Sequence, residues 1–168
     1  MATNRVALSP GPIVERIIAI LTADLSAKFD VIDTQIAESF TLDDVAYYYR
    51  ALLERFDAFP CVVLYPVLDT PFNQEAGWYA RQYELELQIM MVSREAVDGL
   101  LAPEVMEKRL EYSIRGIEEV LNDNRILAVT GFSNVAIIEI APVEYLDFEF
   151  ANTAFGRRAM LRLVVDAK

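Results

Sequence analysis

Between residues 81 and 93 the chain reads RQYELELQIMMVS. Tyr83, Leu85, Leu87, Ile89 and Met91 alternate with Gln82, Glu84, Glu86, Gln88 and Met90. A period of two places alternate side chains on opposite faces of a strand, here one apolar and one wet. The end of the chain repeats the pattern. In RRAMLRLVVD, residues 157–166, Ala159, Leu161, Leu163 and Val165 alternate with Arg158, Met160, Arg162, Val164 and Asp166. CVVLYPV, 61–67, is a continuous apolar run of the kind that fills a buried strand. A further strand is expected over about 134–141, extending as far as 146.

Other segments carry the helical period. Ile13, Ile17, Ile18, Leu21 and Leu25 recur at steps of three and four, which predicts a helix over 12–28 behind a Ser9-Pro10-Gly11-Pro12 start signal. Thr41 with Asp43 and Asp44 reads as a helix start, and Tyr48, Leu52 and Phe56 would share one face of a helix closing near 56. Val105, Met106, Leu110, Ile114, Ile117, Val120 and Leu121 predict a third helix over 103–122, with Glu111 and Arg115 paired at four residues in the favourable order. Two loops are rich in aromatics: 69–79, with Phe72 and Trp78, and 146–156, with Phe148, Phe150 and Phe155.

The expected element order is α, α, β, β, α, β, β. It predicts one α+β domain over 1–168, with 1–11 as a flexible N-terminal arm. The sheet should be mainly antiparallel, of about four strands, with helices packed on one face. Tyr83, Leu85, Leu87 and Ile89 should lie under the helix at 103–122, with Leu161, Leu163 and Val165 beside them. Glu84, Glu86, Arg158 and Arg162 should then share the other face and pair across strands.

Composition narrows the function. The 168 residues are 54% hydrophobic, enough for a core without disulfides or metal. Fifteen basic and 26 acidic residues give a net charge of −11, which argues against wrapping DNA by phosphate neutralisation. Histidine is absent, which removes the commonest general base and transition-metal ligand. The single cysteine, Cys61, lies in an apolar run and is expected to be a buried small hydrophobe. The run IIAIL is short and flanked by Glu15, Arg16 and Asp24, unlike a signal peptide, and no run approaches the length of a membrane span.

Phosphate-binding glycine loops, a nucleophile elbow, CxxC pairs and HExxH are all missing. Asp43-Asp44 reads as helix N-terminal charge, Asn122-Asp123-Asn124 as a helix-end turn and Glu118-Glu119 as a solvated face. No catalytic, cofactor-binding or metal-binding residue is expected. The aromatic residues carry the better signal. Tyr47 and Tyr49, from a run of three tyrosines, join Phe72, Trp78, Phe148, Phe150 and Phe155 as candidate interface anchors.

The segments LDDVAYYYRALLERFDAFPCVVLYPV, YELELQIMMVS, KRLEYSIRGIEEVLNDNRIL and GRRAMLRLVV together resemble the small neck proteins of tailed phages, most nearly the tail terminator, or tail-completion, proteins. The resemblance covers about 41–166 in layout and texture. It implies a structural subunit without catalytic residues, in a ring that is usually hexameric. Such a ring caps the tail tube and joins the tail to the head connector, with DNA passing through the lumen without sequence-specific contact. Its partners would be further copies of itself, the tail tube protein, head–tail connector proteins and a sheath where one exists. Its location would be the virion neck after assembly in the host cytoplasm, with no membrane contact. Under that reading the acidic balance keeps the lumen from trapping DNA. Glu84, Glu86, Asp69, Glu75, Asp147 and Glu149, with Arg158 and Arg162, are the candidate lumen or subunit-contact charges. The alternatives are a head-closure adaptor, an α+β binding module with an unrelated partner, and a carboxylate enzyme.

Overall fold

The computed structural model describes residues 9–36, 38, 40–53, 56, 58–72, 80–93, 102–150 and 154–168. Among these residues two helices, α1 (Gly11–Gln35) and α2 (Ala102–Asp123), accompany seven strands. These are β1 (Tyr47–Tyr49), β2 (Cys61–Phe72), β3 (Ala80–Ser93), β4 (Ile126–Leu127), β5 (Val135–Ile140), β6 (Glu144–Phe150) and β7 (Ala154–Ala167). The strands form one curled sheet in the order β1-β2-β3-β7-β5-β4, with β6 also paired to β7.

The expectation of about four mainly antiparallel strands is therefore corrected. The sheet has seven strands and is mixed, because β1 runs parallel to β2. Two misread segments account for most of the difference. The helix expected up to 56 does not form. Tyr47, Tyr48 and Tyr49 pair instead with Cys61, Val62 and Val63, and the Ala46 amide donates to the Pro60 carbonyl at 2.8 Å. Tyrosine is a poor helix former and a good strand former, so non-local pairing overrides the local spacing. The second aromatic loop, 146–156, is largely the β6–β7 hairpin, in register from Glu144↔Met160 to Phe150↔Ala154.

β5 and β6 are one strand line with a break. Both lie along the same side of β7, β5 against its C-terminal half and β6 against its N-terminal half. Pro142 lies in the gap, where its missing N–H cannot serve a ladder. Ala141 still donates to the Arg162 carbonyl at 2.8 Å, so the alignment holds across the gap.

The apolar face is built as the alternation requires. Tyr83, Leu85, Leu87 and Ile89 stand opposite Val165, Leu163, Leu161 and Ala159. All eight are buried in one core with both helices. α1 contributes Ile13, Ile17, Leu21, Leu25, Phe29 and Ile32, so its apolar stripe runs on past the helix end expected at 28. Burying each such side chain contributes roughly 1.5–3 kcal/mol. α1 and α2 meet at Gly116, where a Cβ would lie 2.8 Å from Phe29 Cε1. The Asp33 carboxylate accepts the Leu42 amide at 3.0 Å and so fixes the chain as it leaves α1. α1 begins at Gly11, and residues 1–8 of the arm expected over 1–11 lie outside the described residues.

Candidate interaction surfaces

The two aromatic hairpins are at opposite ends of the sheet. The β2–β3 hairpin closes on Phe72↔Ala80, at the start of β3. The β6–β7 hairpin closes on Phe150↔Ala154, and Phe155 pairs with Ser93 at the end of β3. Thirteen strand steps, about 43 Å at ~3.3 Å each, separate the ends of β3. Phe72 is therefore far from Phe148, Phe150 and Phe155. Trp78 and Glu75 lie outside the described residues, as do the side chains of Phe72, Phe148, Glu149, Phe150 and Phe155.

Tyr47 and Tyr49 share an end with the β6–β7 hairpin but sit at the opposite lateral margin. Strand alternation sends Tyr48 into the main core, where burial pushes its hydroxyl up to about 12. Tyr49 packs edge-on against Phe56 with ring centres 5.0 Å apart, beside a small second core of Cys61, Val63 and Met90. Tyr47 lies 4.6 Å from Tyr49 and is 55% exposed. Of the two, Tyr47 is the surface residue and Tyr49 its support. Cys61 is buried, and its thiol is pushed up to about 12 by that burial.

The second face of the sheet is a connected polar surface. Tyr65 on β2 donates to the Glu86 carboxylate on β3. Gln88 donates to the same Glu86 oxygen at 2.6 Å and to the Tyr65 hydroxyl at 3.1 Å. Arg158 on β7 donates to Gln88 Oε1 at 3.3 Å. Gln88 is only 1% exposed, so this chain across three strands satisfies a buried amide. Burial and then Glu86 push the Tyr65 phenol up to about 12, against the opposing pull of Gln88 and Arg158.

The expected pairing of arginines with glutamates is thus half of what forms. Arg162 reaches Glu84 at 3.8 Å, whereas Arg158 bonds Gln88 and Glu86 bonds Tyr65. The other candidate charges are also engaged. Asp69 holds Arg81 at 2.6 Å. Asp147 holds Arg157 at 2.9 Å, and Arg157 also reaches Glu107 of α2 at 2.6 Å. Asp43 starts no helix; it binds Arg109 of α2 at 2.7 Å, and that guanidinium lies 5.4 Å from the Phe40 ring centre. These residues flank a cleft of about 100 Å³ with Phe59, Pro60, Met91 and Met106. It is smaller than the ~300–1,000 Å³ of typical ligand pockets.

One surface escaped the sequence reading. β6 pairs with β7 on one side, and among the described residues no strand pairs its other side. Glu144, Tyr145, Leu146 and Asp147 are consecutively exposed, Leu146 to 37%. The alternation in EYLDFEF was the available signal, hidden by reading its aromatics as loop residues. Among the described residues, no group of three or more Cys, Asp or Glu side chains is arranged to hold a metal ion, and no helix is long and apolar enough to cross a membrane. No protein-family model matches the chain, and no curated protein matches it either.

Proposed function

We propose that this protein is a structural subunit of the neck of a tailed-phage virion, a tail terminator ring that caps the tail tube and joins it to the head connector. The observation that carries the reading is the two-ended sheet. β2–β3 closes in a hairpin at one end and β6–β7 at the other, about 43 Å apart along the strand. A subunit that bridges two different partners needs a distinct contact surface at each end. The helix-covered face supplies rigidity between them, and the sequence places aromatic residues in both hairpin regions.

Ring formation rests on unlike lateral margins. Val67 and Leu68 are exposed on the β2 margin, and Ile126 and Ile138 on the β4–β5 margin. A contact between unlike patches is head-to-tail and closes into a ring when the rotation permits. The net charge of −11 is compatible with a lumen that lets DNA slide.

The test combines assembly and docking. The purified protein is incubated with isolated tail tubes and with portal complexes, and imaged by negative stain. Density capping one end of the tubes supports the terminator reading. Docking on portal alone replaces it with a head-closure adaptor, and docking on neither rejects both.

A further inference from the structure

Besides the short outer edges of β1, β4 and β5, two longer stretches of strand edge are paired by no described strand, and they differ in chemistry. One is the distal part of β2, beyond its pairing with β1 at Cys61–Val63. It carries Pro66 and Pro71, and its register with β3 shifts between Pro66 and Leu68. Prolines remove donors and an irregular register disturbs the regular spacing of the rest, so this edge is a poor template for another strand. The other is β6, Glu144–Phe150, which has no proline, no lysine and an uninterrupted register with β7. Its outer amides and carbonyls form a regular row that a further strand can extend.

The surroundings of β6 define the sign of its partner. Glu144, Asp147 and Glu149 are three of its seven residues. Along the facing side of α2, Glu111, Glu118 and Glu107 are near enough to Tyr145 to hold its phenol above the ordinary range, after the larger effect of its burial. Arg157, the cation opposite Asp147, is taken up by Asp147 and Glu107. A second copy is a poor occupant, because antiparallel β6–β6 pairing would set these acids against their own kind.

We propose that the β6 edge accepts an extended basic segment of a partner protein as an added strand, with lysines or arginines at alternate positions on the α2 side of the sheet, facing Glu111 and Glu118. This inference is independent of the phage-neck reading, which stands or falls on docking to tubes.

The probe is a pair of short labelled peptides, one alternating Val with Lys and one alternating Val with Glu, titrated against the full-length protein by fluorescence anisotropy. Hydrogen exchange is followed on the same complexes. The expected result is binding of the Lys peptide roughly tenfold or more tighter than the Glu peptide. Binding should weaken with salt and slow exchange at amides within 144–150. The double variant Glu111→Gln/Glu118→Gln changes one exposed and one half-buried side chain of α2 and should weaken the Lys peptide several-fold without lowering the unfolding midpoint. Tyr145→Pro and Leu146→Pro sharpen the test. Neighbouring amides on a strand point to opposite sides, so one proline should abolish binding with β7 still protected, while the other opens the hairpin. No binding, equal binding of both peptides, or protection confined to other strands would overturn the proposal. So would protection of 144–150 that rises with protein concentration alone, because a second copy would then hold the edge.

Discussion

The two faces of this sheet are made from the same strands and solve different problems. On one face Leu85, Leu87, Leu161 and Leu163 are fully enclosed beneath α1 and α2. Their contribution is non-directional and scales with the area removed from water. On the other, Tyr65, Glu86, Gln88 and Arg158 are tied into one hydrogen-bonded chain that spans β2, β3 and β7. Their contribution depends on geometry and on every member being present. The difference teaches that the first face holds the fold together, whereas the second holds strand register and leaves surface for partners.

Substitutions on the two faces should separate these roles. Leu87→Ala on the enclosed face should cost about 2–5 kcal/mol, the range for a leucine cavity in a packed core. Urea unfolding should show a lower midpoint with the slope retained. A loss under 1 kcal/mol would mean the face is not well packed. On the polar face, Gln88→Leu should cost about 1–3 kcal/mol, because it removes the acceptor of Arg158 and leaves Glu86 with Tyr65 alone. If it proved neutral, the chain would contribute nothing to stability.

The enclosed side also contains a flaw that can be repaired. Ser113 on α2 is fully buried, and its hydroxyl has no hydrogen-bond partner among the described residues. Ser113→Ala should raise stability by about 1 kcal/mol, through relief of that desolvation and better helix propensity. A decrease would reveal a partner for the hydroxyl. The smallest effect belongs to Arg162→Ala. Its 3.8 Å pair with Glu84 is solvent-exposed, so the change should be below about 0.5 kcal/mol and vanish in high salt.

Titration gives an orthogonal check on the polar face. The Tyr65 phenol is raised in the folded protein to about 12, above an ordinary value of 10.0. A raised acid is neutral in the folded state over a range where the unfolded chain is already ionised. The stability it contributes is therefore complete below pH 10 and is lost as pH rises from 10 towards 12. The urea midpoint should fall between pH 10 and pH 12, and Tyr65→Phe should lessen that fall. An unchanged slope of midpoint against pH in the variant would remove Tyr65 from the account.

Much of the enclosed face could be read in advance, because period-two burial on 83–91 and 159–165 is written in the residue types. The same holds for α2, whose apolar stripe and charged back leave little choice. The run at 47–49 could not be read this way. Tyr48, Leu52 and Phe56 fit a helix as well as Tyr48 fits a strand, and pairing with Cys61–Val63 decides the matter from a distance. The polar chain stayed hidden for a related reason. Glu86 and Arg162 are true register partners, yet Tyr65 and Gln88 compete for Glu86 and Arg158, and that competition is visible only when β2 is in place. β6 was missed because Phe148 and Phe150 drew attention to the hairpin's aromatics and away from its alternating backbone.

The central claim is that these subunits close into a ring through their unlike margins, and native mass spectrometry over a concentration series tests it most directly. The account predicts a species at six times 19.0 kDa, with ring-shaped particles in negative stain of the same samples. It also predicts that Leu68→Glu, on the exposed β2 margin, shifts the population to monomer without unfolding it. A strict monomer at every concentration, both alone and in the presence of tail tubes, would contradict it.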